Sequence, residues 1–217
     1  MEGRKIDFET WERKVFIEFY EDYDLPYIIM TADVDVTKAL AFAHRNGVSF
    51  NLVMVYLANK AADSIENFRY RFSGREIFLI NHNMPVINHL VPGTEIFVAA
   101  SGVWPCDDIL EFCRKTHERL SGLPTDSFSN EVSGKTDIIN YSAIPWVQFT
   151  HMFRTIKGGK DSNPKISFGK YHKENDRTMM PLAVQTHHAL MDGYHVGLFY
   201  KKIQELIDAI PDEEDEK

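Results

Sequence analysis

The apolar positions of this chain fall into two repeating patterns. Phe50 to about Ile65 is the strongest helical one: apolar residues surround most of the circumference, and a helix of that kind is buried. Ser49 stands where it would cap it. Near the end of the chain Val196, Phe199, Ile203, Leu206, Ile207 and Ile210 recur at three- and four-residue steps. That spacing predicts an amphipathic helix from about Asp192 to Ile210. Asp35 or Thr37 opens another helix, which ends at Asn46-Gly47. Pro105-Cys106-Asp107-Asp108 opens a fourth, closing at Ser121-Gly122. Asp7 to Tyr20 begins as a short helix, capped near Asp7 or Thr10.

Shorter apolar runs bounded by Gly, Asn and Pro predict strands at Tyr27 to Val34, Ile77 to Ile80, Val86 to Leu90 and Glu95 to Ala100. Further strands are expected at Ile138 to Ile144, Ile166 to Tyr171 and Arg177 to Thr186. The last carries a continuous apolar stretch, Met179 to Val184, and is expected inside the sheet. Helices and strands are interspersed without strict alternation. The pattern fits an α/β protein with a mixed sheet covered by helices, and neither a Rossmann nor a TIM-barrel order. No repeat or linker divides the chain, so residues 1–211 are expected to form one domain, followed by an acidic tail, 212–217.

Composition changes this picture little. The chain has 217 residues, 44% hydrophobic and 26% charged, enough for a sizeable core. A formal net charge of −8 argues against nucleic acid as a partner, which needs a basic face. No run approaches the roughly 18 apolar residues of a membrane span, and no apolar run follows Met1-Glu2-Gly3-Arg4-Lys5 to make a secretory signal. Cys106 and Cys113 lie in a segment read as helical, which would set their Cα atoms about 10 Å apart. A disulfide tolerates less than about 7 Å. Unpaired thiols without an export signal point to the cytoplasm. No zinc spacing and no phosphate-cradling glycine motif occurs.

The densest polar cluster is Thr186-His187-His188-Ala189-Leu190-Met191-Asp192-Gly193, between a buried strand and an amphipathic helix. Such a junction aims side chains into a crevice. Gly193 permits an unusual backbone angle or a close approach, and Asp192 can cap the final helix. Paired histidines at a strand end are often structural. A metal reading with His172 and His195 is weakened because adjacent strand residues face opposite ways, so His187 and His188 cannot easily share one ion.

His-His-x-x-x-Asp-Gly resembles the active-site motif of the chloramphenicol acetyltransferase family and, more loosely, that of the acyltransferase cores of 2-oxo acid dehydrogenase complexes. Further similarities follow in family order: Trp11-Glu12-Arg13 with Phe16-Ile17-Glu18-Phe19-Tyr20, Asn140-Tyr141-Ser142-Ala143-Ile144-Pro145-Trp146-Val147, Asp176-Arg177 with Pro181-Leu182-Ala183-Val184-Gln185, and Tyr194-His195-Val196. The resemblance implies a two-layer sandwich of the CoA-dependent acyltransferase type, acetyl-CoA as acyl donor, no metal, and a homotrimer with active sites between subunits. The acceptor it implies is the hydroxyl of a small molecule, chloramphenicol first, or another small hydroxyl or amine. A non-catalytic binding protein of the same fold is the contrasting reading.

The resemblance also assigns roles. His188 would be the general base, its neutral imidazole held in one tautomer by its own backbone carbonyl. Asp192 would pair with Arg13 and lock the turn. Ser142 would donate to the tetrahedral oxyanion and come from the neighbouring subunit. Tyr171, Ser167 and Trp146 would lie along the cofactor, and Phe19, Tyr20, Tyr27 and Phe97 would line the acceptor site. His187 is expected to be structural. The chain departs from the family at Arg154-Thr155-Ile156-Lys157-Gly158-Gly159-Lys160-Asp161-Ser162-Asn163-Pro164, where the family has an apolar pocket and this sequence is polar and charged. Glu21 to Tyr27 departs too, in length and charge.

Overall fold

The computed structural model describes residues 2–124 and 134–211; the expected acidic tail, 212–217, lies outside them. The elements in chain order are β1 (Gly3–Lys5), α1 (Lys14–Tyr20), β2 (Tyr27–Asp35), α2 (Thr37–Arg45), α3 (Phe50–Asp63), a 3₁₀ turn (Glu66–Arg69), β3 (Tyr70–Ser73), β4 (Glu76–Ile80), β5 (Met84–Leu90) and β6 (Phe97–Ser101). There follow α4 (Ile109–Ser121), β7 (Ile138–Ala143), β8 (Lys165–Phe168), β9 (His172–Glu174), β10 (Arg177–His187) and α5 (Gly193–Asp208).

The large sheet runs β2-β10-β8-β7-β5-β6, with β9 beside β10. It is mixed: β7 is parallel to both β5 and β8, and the other pairs are antiparallel. α2, α3, α4 and α5 pack on one face, where Val34, Ile139, Tyr141, Ile166, Leu182 and Val184 join the main core. Strand residues alternate faces, so Asn140, Ser142, Lys165, Ser167, Ala183 and Gln185 stand on the opposite face. The 144–164 segment covers part of that polar face, and Gln185 exchanges two hydrogen bonds with the Arg154 backbone, at 2.8 and 3.2 Å. This is the expected α/β arrangement, a mixed sheet covered by helices in two layers.

A second sheet, β1-β4-β3, carries a small core of Ile6, Tyr70, Ile77, Leu79 and Leu190, against which Phe8, Trp11 and Ile17 pack. It buttresses both α1 and the turn after β10. β1 approaches β4 so closely that a Cβ on Gly3 would lie 2.3 Å from the Leu79 carbonyl oxygen.

Several local expectations change. α1 begins at Lys14; Asp7 instead closes a turn, accepting from the Glu9 N–H and the Thr10 hydroxyl. Ser49 precedes α3 but its side chain makes no capping bond. Asp35 holds the start of α2 by accepting from the Thr37 N–H and hydroxyl. α4 starts after Pro105 and Cys106, capped by Asp108, which accepts from the Glu111 N–H at 2.6 Å. Cys106 is therefore outside the helix, and both cysteines are free thiols. β10 lies inside the sheet, one strand from its edge, and is buried along nearly its whole length.

Candidate active site

The turn after β10 is held by one side chain. Arg13, at the start of α1, donates from Nε to the Ala189 carbonyl (3.1 Å), from Nη2 to the His188 carbonyl (3.3 Å) and from Nη1 to Asp192 Oδ2 (3.3 Å). Its guanidinium is buried and also lies 4.5 Å from the Phe16 ring centre. A planar fork suits such a task, since it satisfies two carbonyls and a carboxylate at fixed angles. Asn67 adds a bond from Nδ2 to the Leu190 carbonyl, and the His188 N–H donates to the Pro26 carbonyl.

Asp192 does two jobs. It caps α5, accepting from the Tyr194 N–H at 3.1 Å, and it receives Arg13. Partial burial works against its charge, but His195, Arg13 and the Tyr194 N–H outweigh that and hold the carboxyl below its usual range. His195 closes the capping box by accepting the Asp192 N–H on Nδ1 at 3.2 Å. Burial lowers its affinity for a proton, against the pull of Asp192, which fits that acceptor role. Gly193 serves a close approach: a Cβ there would meet Met30 Cε at 2.9 Å.

His188 sits on this frame. Its ring stacks on Tyr20 with centres 4.8 Å apart and planes 23° apart. The expected hydrogen bond to its own carbonyl is not made. That oxygen accepts from Arg13, and His188 Nδ1 is buried without a hydrogen-bond partner among the described residues. Stacking, not a hydrogen bond, orients this imidazole.

His187 is engaged at both ring nitrogens. Nε2 donates to the Gly159 carbonyl at 2.9 Å, and Nδ1 accepts the Ala189 N–H at 3.2 Å. Burial drives its pKa down to about 4, so the neutral ring is the stable form. With Tyr27, whose hydroxyl donates to the Gly158 carbonyl (2.9 Å), it ties the polar 154–164 segment to the strand end. A cleft of about 620 Å³ opens between α1 and the β3–β4 hairpin, with Tyr20, His187 and Ala189 among its walls.

Ser142 lies elsewhere. It pairs with Ser167 on β8, and Ser167 with Ala183 on β10, five residues before His188. Strand rise and spacing then put Ser142 and His188 about 20 Å apart within one chain. Neither the Ser142 nor the Ser167 hydroxyl has a hydrogen-bond partner among the described residues, although Ser167 is buried. Trp146 follows the end of β7 and is 60% exposed, and Tyr171 follows the end of β8 and packs edge-on to Phe50. Phe97, at the start of β6, shares this end of the sheet and does not gather with Phe19, Tyr20 and Tyr27.

The expected residues thus form two groups. Arg13, His188, Asp192, Phe19, Tyr20 and Tyr27 stand at one end of the sheet, and Ser142, Ser167, Trp146, Tyr171 and Phe97 at the other. Both groups are flanked by exposed apolar side chains. On and after α1 these are Val15, Phe16, Phe19, Tyr23 and Leu25; at the far end they are Ile96, Phe97, Trp146 and Val147. Sequence reasoning missed Asn67, whose partner is a backbone carbonyl and leaves no motif. Among the described residues no three His, Cys, Asp or Glu side chains converge as metal ligands. No helix of the described residues is long and apolar enough to cross a membrane.

Similarity to known proteins runs the length of the chain. The family model described as chloramphenicol acetyltransferase matches residues 1–204. Chloramphenicol acetyltransferase 3 of Escherichia coli is 30% identical over 210 residues, 95% of this chain and 97% of that protein. A Proteus mirabilis chloramphenicol acetyltransferase is 27% identical over 94% of each. A solved chloramphenicol acetyltransferase superposes with a TM-score of 0.85 at 26% identity, covering 94% of this chain and all of the other. The cubic core of a pyruvate dehydrogenase multienzyme complex shares the fold, with a TM-score of 0.60 at 15% identity over 91% of this chain and 87% of the other. With a family model matching residues 1–204 and both sequence and fold similar over more than nine-tenths of its length, this chain belongs to the chloramphenicol acetyltransferase family of CoA-dependent acetyltransferases.

Proposed function

We propose that the protein moves an acetyl group from acetyl-CoA to a hydroxyl of a small molecule, at sites shared between copies of a homotrimer. His188 takes the hydroxyl proton as the oxygen attacks the thioester carbonyl. Ser142 of a neighbouring copy donates its hydroxyl hydrogen bond to the oxyanion that forms. Collapse breaks the carbon–sulfur bond, and the proton on His188 passes to the departing CoA sulfur. Arg13 and Asp192 hold the turn that carries the base. Trp146, Ser167 and Tyr171 are the residues assigned to the CoA chain, and Phe19, Tyr20, Tyr27 and Phe97 those assigned to the acceptor. Two free cysteines suit a reducing cytoplasm.

The observation that carries this reading is the separation of Ser142 from His188 by about 20 Å, with an apolar ridge beside each. Two different patches that fit each other make a head-to-tail contact, which closes into a ring when the rotation allows. The names of the relatives make chloramphenicol the acceptor to try first. Incubation with acetyl-CoA, chloramphenicol and a thiol reagent reads the reaction directly. Thiol release that is absent for every hydroxyl acceptor tried, or that is unaffected by His188→Ala, sinks the assignment.

A further inference from the structure

We propose that Arg154 selects an acceptor bearing a carboxylate near the hydroxyl to be acetylated. The inference rests on the acyl-transfer reading and names the acceptor class for that site. Arg154 belongs to the segment that crosses the polar face of the large sheet. Its backbone is clamped to the buried Gln185 by two hydrogen bonds. Its Nη1 donates to the Asn140 carbonyl at 2.7 Å. Asn140 is two residues before Ser142 on the same strand face, about 7 Å away along β7.

Two other buried cations, Lys165 on this face and Arg71 on β3, have anionic company. Lys165 pairs with Asp161 at 2.7 Å. Arg71 donates to the Phe68, Tyr70 and Ile138 carbonyls and to Asn83, with Asp137, Asp63 and Asp161 near enough to favour its charge. Arg154 has none. No carboxylate pairs with it among the described residues, and Nε and Nη2 make no hydrogen bond to them. Burial alone acts on the guanidinium and brings its pKa down to about 10. Its charge works against the protonated form of Lys165.

A half-buried guanidinium with no counter-ion, whose Nε and Nη2 are left to solvent, has two donors with which to take up a bound oxyanion. Guanidinium and carboxylate match as planar forks, so a ligand carboxylate is held in a defined orientation. An acceptor gripped in this way would present its hydroxyl beside Ser142, where the base of the adjoining copy is required. A neutral acceptor would leave Arg154 as it stands.

Two small alcohols of nearly equal shape test this: 4-(hydroxymethyl)benzoate and its methyl ester. Acetyl-CoA-dependent thiol release is measured with both for the wild type, Arg154→Leu and Arg154→Lys, alongside calorimetric titration of 4-(hydroxymethyl)benzoate. The expected result is a wild-type kcat/KM ratio favouring the carboxylate, which falls at least about tenfold in Arg154→Leu. Arg154→Lys, which keeps the charge and guards against a folding artefact, retains part of the preference. Release from both alcohols with a ratio indifferent to Arg154→Leu overturns the proposal and leaves acyl transfer standing. No release from either, with carboxylate binding that Arg154→Leu removes, overturns acyl transfer and leaves the anion site standing. Neither release nor binding overturns both.

Discussion

At the His188 end of the large sheet, one arginine closes three hydrogen bonds, a carboxylate caps a helix, and a histidine on the next turn completes the cap. At the Ser142 end, the serine hydroxyl has no partner among the described residues, and the nearby tryptophan and phenylalanine face solvent. The first region is finished by its own chain; the second is built as a surface. The difference teaches that a chain can spend its internal hydrogen bonds on fixing the turn that carries His188 while leaving the Ser142 hydroxyl without a partner of its own.

The sharpest way to break this comparison is to disable each end separately. His188→Ala is expected to lower the rate of acetyl transfer by about 10²–10⁴, and Ser142→Ala by about 10²–10³. Co-expressed with different tags and purified through both, the two variants should form mixed rings in which one interface joins an intact base to an intact serine. Roughly a third of wild-type activity per ring should return. No recovery in the doubly tagged fraction would mean that each site is made by one chain.

The second test uses pH. The unfolded His187 takes a proton below about 6.5, whereas the buried ring does so only near 4. Between these values the unfolded chain gains the proton first, so stability is full above about pH 6.5 and falls by about 3 kcal/mol on reaching pH 4. Denaturant melts from pH 7 to 4 should show this slope, and His187→Gln should flatten it. The Asp192 contribution has the other position: its lowered carboxyl keeps it intact above about pH 4, and it fades only below.

Smaller effects sharpen the picture of the finished end. Arg13→Ala should destabilise the protein by about 2 kcal/mol, less than a fully buried pair would cost because the Asp192 side chain is 31% exposed. It should also lower kcat, since two carbonyls of the turn lose their donor. Tyr20→Ala should leave stability nearly unchanged and reduce kcat by about tenfold or less, the value of one ring stack. An unchanged kcat would show that the imidazole is oriented by something other than stacking.

The sequence was most legible where pattern and chemistry coincide. The periodic helices α3 and α5 and the apolar strand β10 emerged near their observed bounds, because burial repeats at a period that can be read off the chain. The Arg13–Asp192 pair came from family resemblance alone, as nothing in spacing joins residues 179 apart. β1, β3 and β9 went unread for a physical reason. Gly3-Arg4-Lys5 and His172-Lys173-Glu174 are short and polar, and Tyr70-Arg71-Phe72-Ser73 hides a wholly buried arginine that reads as surface. The hydrogen bond expected between the His188 ring and its own carbonyl is missing from the structure, where that carbonyl accepts from Arg13, a partner that no local spacing reveals. The unpaired state of Arg154 was equally out of reach, since it depends on which carboxylates the fold keeps away.

The register that sets Ser142 five residues and two strands from His188 has a further consequence, for inheritance and dosage. A catalytic pair divided between copies makes activity a property of the assembly, so specific activity should fall on dilution below the ring's dissociation range. Under the proposed division, a copy lacking its serine would spoil a neighbour's base, not its own. Each defective copy then costs its ring one site, so activity in a mixed population falls in proportion to the fraction of defective copies.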